Sequence, residues 1–394
     1  MKKLLLATAA TALFAGAAIA EEIKLGILIG FTGPIESLTP DMAAAAELAM
    51  KEVNDSGKLL GGSTLVSVRA DSTCGDAAAG TAAAERLVTS DKVKGIVGGD
   101  CSGVTGAVLQ NIARPNGIVM ISPSATSPAL STAEDDGLFF RTAPSDAREG
   151  QVMADILVEK GVKSIALTYT NNDYGKGLAE AIATSFTAVG GTVTINAAHE
   201  DGKADYSAEV AALASAGGDL LVVAGYLDQG GKGIIQASLD SGAFTTFGLP
   251  GGMYGESLPT AIGAALNGSY GQVAGSDSTG AATLIEMGTA AGFKGDNAYT
   301  PESYDATALF ALAMQAAGSS DPAAYKTKVM DVANAPGEKI YPGELAKALD
   351  LIAAGTDVDY EGATAVELIG PGESAGRYRQ FEVKGAKNET VGFR

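Results

Sequence analysis

The residues best placed to do chemistry in this chain are hydroxyls beside glycines. Phe31-Thr32-Gly33-Pro34, Gly99-Asp100-Cys101-Ser102-Gly103 and Ser122-Pro123-Ser124-Ala125-Thr126 each set Ser or Thr at a turn or a helix start. Backbone N–H groups are free there, and together with hydroxyls they can receive an anion. Tyr169 to Tyr174, Gly225-Tyr226 and Leu249-Pro250-Gly251 complete the set. The tyrosines bring large apolar walls with one polar tip. None of these loops carries a His or a cluster of Lys or Arg. A carboxylate bound here would be held by neutral dipoles, without a fixed countercharge.

Bond-making chemistry finds little support. A single His excludes a three-histidine metal site and any mechanism that needs two imidazoles. That residue, His199, reads as a surface or strand-end position. Gly372-Glu373-Ser374-Ala375-Gly376 matches G-x-S-x-G, but a nucleophile elbow needs a strand before the Ser and a helix after it. Pro371 precedes this stretch and Arg377-Tyr378-Arg379 follows it, so the match reads as chance. No G-x-G-x-x-G occurs, and Gly230-Gly231-Lys232-Gly233 lacks the rest of a phosphate loop. The expectation is a protein that is not an enzyme, with no catalytic residue, metal or cofactor.

Composition narrows the partners. The 394 residues carry a formal net charge of −19, with 46 acidic against 27 basic side chains. Phosphate neutralisation needs clustered Lys and Arg, so a nucleic-acid binder is not expected, nor a binder of anionic membranes. Met1-Lys2-Lys3, an apolar run from Leu4 to Ala18, and Ala18-Ile19-Ala20 read as a cleaved secretory signal over residues 1–20. The rest is expected to be soluble outside the cytoplasm, most simply in a periplasm. In that compartment the two cysteines, Cys74 and Cys101, read as one disulfide, worth roughly 3 kcal/mol in the chain-entropy model.

The elements that must position these loops alternate. Apolar strands such as Ile23 to Gly30, Leu65 to Ala70 and Gly95 to Gly99 are separated by helical stretches. The pattern restarts after Pro144, with strands at Ser164 to Tyr169, Thr192 to Asn196, Leu220 to Ala224 and Thr245 to Leu249. This is an α/β chain with two doubly wound parallel-sheet halves of about 120 residues each. The remainder from Ser276 cannot form a third parallel sheet, so it is expected to complete the first two, with the chain crossing between them more than once. In such sheets ligands bind beyond the carboxyl ends of the strands, which selects the loops named above.

Thr32-Gly33-Pro34, the Cys74 and Cys101 pair, Cys101-Ser102, Ile121 to Pro128, Tyr174-Gly175 and Gly225-Tyr226, taken in order, resemble the type I periplasmic binding proteins. The nearest look is to the branched-chain amino-acid (Leu/Ile/Val) binding proteins of ABC importers. The resemblance implies two lobes closing on a ligand and joined by a hinge of three crossovers. Lobe one would be about 23–143 with 277–380, and lobe two 144–276 with 381–394. It implies a small amino acid as ligand, a permease and an ATPase as partners, and a monomer. The alternatives it leaves are a non-amino-acid small carboxylate or amide, or a secreted ligand-sensing module. It assigns the ligand carboxylate to Ser102 and Thr126, and the ammonium to the Thr126 hydroxyl and the Ser124 carbonyl, with Ala125 between them. It gives Tyr174 and Tyr226 as aromatic residues of the closing lobe and Tyr299 as a wall. Two positions depart from the family pattern. Leu38 stands where an aromatic is expected, and Gly251 stands where the acid that pairs with the ammonium should be. A buried ammonium without a partner is costly. Asp228, Glu256, Asp277 and Asp305 are the candidate substitutes.

Overall fold

A computed structural model describes residues 20–394 of the chain. The secretory signal read in residues 1–20 lies, but for its last residue, outside the described residues. Two seven-stranded sheets organise the molecule. The first begins with β1 (Glu22–Ile29), β2 (Thr64–Asp71), β3 (Gly95–Gly98), β4 (Met120–Ser122) and β5 (Phe139–Pro144). The second begins with β6 (Ser164–Thr170), β7 (Thr192–His199), β8 (Leu220–Ala224), β9 (Phe247–Leu249) and β10 (Tyr270–Ala274). In each, the first two strands are swapped in space and the rest follow in order, so the sheets run β2-β1-β3-β4-β5 and β7-β6-β8-β9-β10. All these neighbours pair in parallel. The strand order reverses at β1/β3 and again at β6/β8, and those are the places where a crevice opens at the carboxyl ends.

The tail completes both sheets. After β11 (Glu338–Ile340) and β12 (Val358–Tyr360), which pair only with each other, β13 (Leu368–Ile369) and β14 (Glu373–Ser374) extend the first sheet beyond β5. Then β15 (Tyr378–Lys384) and β16 (Lys387–Phe393) extend the second beyond β10, in antiparallel pairing. The last crossing therefore lies between Ser374 and Tyr378, earlier than the 380/381 boundary expected from sequence. Tyr378 and Arg379 already pair with Ala274 and Val273. The same placement puts Ser374 in a two-residue strand with no helix after it, the wrong setting for a nucleophile.

Helices cover the sheets as apolar, small-residue surfaces. Thr39–Ser56 buries its Ala and Met face against Thr300–Ala317, which is almost wholly buried. That second helix comes from the tail and packs on the first lobe. Asp146–Glu159 starts directly after the first crossing, capped by the Ser145 hydroxyl on Ala147 N–H, and packs on Asp173–Ala188 and β10 of the second lobe. Among the described residues no helix is long and apolar enough to cross a membrane.

Candidate functional site

The expected loops meet between the lobes. A small enclosed space is lined by Ile35, Leu38, Asp100, Cys101, Ser102, Ser124, Tyr174, Tyr226, Gly252 and Tyr299. Its volume is about 20 Å³, room for about one water. The lobes are shut across it. The Asp228 carboxylate of the second lobe accepts from Ser37 N–H of the first at 3.0 Å, and the Ser127 hydroxyl donates to the Asp173 carbonyl at 3.2 Å.

The first-lobe side is a set of hydroxyls tied to the backbone of neighbouring loops. Cys74 and Cys101 form the expected disulfide, with Cα atoms 5.1 Å apart, and Ser102 follows at the first position of the helix Ser102–Val108. The Ser102 hydroxyl accepts from Ser127 N–H at 3.1 Å, and the Ser124 hydroxyl donates to the Asp100 carbonyl at 3.0 Å. Ser122 donates to the Gly99 carbonyl and accepts from Ala125 N–H at 2.9 Å. Asp100 is buried, which raises its carboxyl, but Gly30 N–H and the Ser72 hydroxyl both reach it at 2.7 Å and favour the charged form. Below this layer the buried Arg141 guanidinium holds the carbonyls of Ala125 and Ser127 at 3.0 Å and pairs with Glu373.

The second-lobe side is aromatic. Tyr174, in the first turn of its helix, stacks on Tyr226 with ring centres 5.0 Å apart and planes at 16°. Its hydroxyl accepts from Gly252 N–H at 3.0 Å. Burial pushes both phenols well above their ordinary range. Tyr299 closes the wall from the tail. Its φ is +58°, a left-handed conformation that a bulky residue adopts at a cost, just ahead of the helix Thr300–Ala317.

Of the residues singled out by sequence, Ser102, Ser124, Tyr174, Tyr226 and Tyr299 line this space, as does Leu38. Ala125 does not: it is fully buried with its N–H and its carbonyl both taken. Thr126 lies just behind, its carbonyl accepting from Asp146 N–H at 2.8 Å and its hydroxyl without a partner. Gly251 is buried beside Tyr299. His199 ends β7 as expected but is buried rather than exposed. Its Nδ1 meets the Thr168 hydroxyl at 2.9 Å, and burial lowers its pKa to about 4.

None of the candidate substitute acids faces the space. Asp228 latches Ser37 to Ser257 at its mouth, Glu256 pairs with Lys294 outside, and Asp277 is exposed. Asp305 is buried and saturated, its two oxygens taking the Tyr360 hydroxyl, Ala363 N–H and both Thr364 donors. Two other acids are buried behind its wall, outside the lining. Glu149, on the helix Asp146–Glu159, accepts from Gly251 N–H at 2.7 Å and from the Gln272 amide at 3.1 Å through Oε1. Asp146, one turn earlier, is fully buried with neither carboxylate oxygen hydrogen-bonded. Burial raises Glu149 to about 7 and Asp146 well above the usual range; the neighbouring Glu149 charge adds to the second.

The chain and its fold have parallels among known proteins. A family model described as periplasmic binding protein matches residues 22–341. A Leu/Ile/Val-binding protein homolog 1 from Brucella melitensis is 33% identical over 323 residues, covering 80% of this chain and 84% of that protein. The Leu/Ile/Val-binding protein of Escherichia coli K12 is 30% identical, covering 68% of this chain and 71% of its own. A homolog 3 from B. melitensis is 34% identical, but the match spans only 60% of it. Among solved structures, a leucine binding protein from Thermotoga maritima superposes with a TM-score of 0.78 at 19% identity, over 94% of this chain and 98% of that one. A Rhodopseudomonas palustris solute binding protein in complex with 4-hydroxybenzoate gives 0.78 at 18%, over 95% and 97%. Two doubly wound lobes, shut on a cleft built from their carboxyl-end loops and matched over most of the chain, have one reading: the chain belongs to the periplasmic binding protein family.

Proposed function

We propose that the chain is the solute-binding component of an ABC importer, working outside the cytoplasm and delivering a small amino acid of branched-chain type to a permease driven by an ATPase. The observation that carries this is the convergence, on one closed space, of Ser102 and Ser124 from one lobe, Tyr174 and Tyr226 from the other, and Tyr299 from the returning tail. The branched-chain class is supported by relatives named as Leu/Ile/Val-binding proteins. Export through the leader read in residues 1–20, and action as a monomer, belong to the same reading. We assign lobe one to 22–144 and 277–374, and lobe two to 145–276 and 378–394.

The ligand-binding residues assigned are Ser102, Ser124 and Thr126 on the first lobe, Tyr174, Tyr226 and Gly251 on the second, and Tyr299 between. The first-lobe hydroxyls and N–H groups take the carboxylate and the tyrosines enclose the side chain. A ligand touches both lobes only when they are shut, so its binding free energy shifts the pair toward closure. About 20 Å³ does not admit an amino acid, so entry requires the lobes to open. Because Gly251 offers no acid, a plain carboxylate or amide is the second reading.

Calorimetry on unfolded and refolded protein tests both readings, with leucine, isoleucine, valine, small amides and simple carboxylates compared. Micromolar binding of a branched-chain amino acid is expected. Absence of heat with every one of these ligands would overturn the assignment of the cleft.

A further inference from the structure

Gly372-Glu373-Ser374-Ala375-Gly376 is set wrongly for a nucleophile, yet it is shaped for a contact. Both of its glycines sit at positive φ, +99° and +94°. A Cβ on Gly372 would lie 2.6 Å from the Phe140 ring, and one on Gly376 would lie 2.9 Å from Pro144. Side chains at either position would push the run off β5, and the backbone conformation itself favours glycine. Without them the run lies along β5. The Gly372 carbonyl accepts from Arg141 N–H at 2.9 Å, and Glu373 stands in register with Arg141. The residue this run delivers is Glu373, not Ser374.

What Glu373 meets is a buried cation with two hands. Arg141 Nη2 donates to Glu373 Oε2 and to the Ser131 hydroxyl at 2.7 Å, and that hydroxyl donates to the same Glu373 oxygen at 2.6 Å. Nη1 spans the Ala125 and Ser127 carbonyls, both at 3.0 Å. Nε is buried without a partner, so Nη1 and Nη2 alone fix the guanidinium. The loop they grip is where the site comes together. Ser124 lines the cleft one residue before it, and Ser127 N–H donates to the Ser102 hydroxyl at 3.1 Å. The Thr126 carbonyl accepts from N–H of Asp146, the first residue of the helix that opens lobe two. Arg141 stands three residues before the first crossing, and Glu373 stands in the last strand before the final one. Neither lines the cleft.

We propose that Arg141 is a positioning residue for the solute, clamped by Glu373, so that the loop at 124–127 takes its place from the two hinge strands and affinity depends on a pair that never touches the ligand. This rests on the cleft being the solute site. A binding constellation holds its geometry only if the groups behind it are themselves locked. A guanidinium suits that task because its donors leave one plane at fixed angles, so an acceptor held on one side fixes the direction of the donors on the other. Charge and geometry are separable here. Glu373→Gln removes the charge but keeps an oxygen able to accept from Nη2 and from the Ser131 hydroxyl, whereas Glu373→Ala removes both. Each leaves a buried guanidinium without its countercharge, so unfolding stability should fall in both. The position of the loop should be lost only in Glu373→Ala.

The test is calorimetry with L-leucine on refolded wild type and both variants, beside denaturant titration of each. Affinity is expected to fall about 10-fold in Glu373→Ala and less than about 3-fold in Glu373→Gln, while the two lose similar stability. Rescue of affinity without rescue of stability is what a merely structural pair would not give. Equal affinity losses in the two variants, or affinity in Glu373→Ala within about 3-fold of wild type, would overturn the proposal and leave the cleft assignment standing. If Glu373→Ala does not fold, Ser131→Ala decides: it removes only the hydroxyl between guanidinium and carboxylate, and should weaken leucine binding about 3-fold. Unchanged affinity there would overturn the proposal as well. If wild type binds another of the compared solutes and not leucine, the same comparison is read with that solute. If wild type binds none of them, the cleft assignment itself falls and this proposal with it.

Discussion

The two faces of the cleft solve different problems. On the first lobe, Ser122, Ser124, Ser102 and Asp100 spend their hydrogen bonds on one another and on nearby backbone, and a disulfide ties the loop down. On the second, Glu149, Asp146 and Gln272 carry charge and orphaned acceptors behind a pair of tyrosines held by stacking. One side is preorganised and stable without ligand. The other keeps the Asp146 oxygens and the Gln272 Oε1 buried without partners, and a buried polar group without a partner costs free energy. The contrast sets a hydrogen-bonded, cross-linked surface against an aromatic one backed by buried acids.

Breaking the first surface should have the largest effect. Replacing both Cys74 and Cys101 with Ser removes the cross-link ahead of Ser102 and is expected to lower unfolding stability by about 3 kcal/mol, measured by denaturant titration. Affinity should fall with it, because the Ser102 loop loses its brace. A variant of unchanged stability would show that the hydrogen-bonded layer holds the loop unaided.

The second surface should show itself in pH dependence. The Glu149 carboxyl is ordinary in the unfolded chain, near 4.5, and titrates at about 7 in the fold. Between those values the native state keeps a proton that the unfolded chain has released. Stability of the empty protein therefore falls as pH rises through that window and stays lowered above it. Glu302, raised by burial to about 8, and Asp305, at about 6, tilt the curve the same way, so the informative quantity is the difference from Glu149→Gln. That variant should gain about 2 kcal/mol relative to wild type between pH 5 and pH 8. Parallel pH curves would mean that Glu149 is not desolvated as described.

The fold was legible because parallel strands buried on both faces read as unbroken apolar runs. Of the ten strands β1 to β10, the two that escaped, Phe139–Pro144 and Tyr270–Ala274, each carry a buried polar residue, Arg141 and Gln272. Those residues break the pattern because they serve the cleft, one bracing the Ala125–Ser127 loop and the other holding Glu149. The hydroxyl loops were equally readable, since turn chemistry is local. Ala125 was placed in the contact set by adjacency, but its backbone groups are consumed internally. The burial of Glu149 and Asp146 was not legible, because acids in a first helical turn have an ordinary explanation in the helix dipole.

Smaller effects probe the seam between the faces. Ser102→Ala takes an acceptor from Ser127 N–H and a donor from the ligand, and is expected to weaken binding about 10-fold by calorimetry, near 1.5 kcal/mol. Unchanged affinity would remove Ser102 from the ligand contacts.

The smallest expected effect is at the mouth. Asp228 accepts from Ser37 N–H and from the Ser257 hydroxyl, and its own N–H donates to the Pro34 carbonyl. It is the contact that joins the loop after β1 to the second lobe without touching the enclosed space. Asp228→Asn keeps the shape and removes the charge, which should loosen the shut state by about 0.5 kcal/mol, a bond partly open to water. Because ligand binding draws on the same closure, affinity should drop about 2-fold to 3-fold. Thermal stability of each lobe should be unchanged, since the carboxylate supports neither core. An unchanged affinity in this variant would show that the latch at the mouth takes no part in closing the cleft.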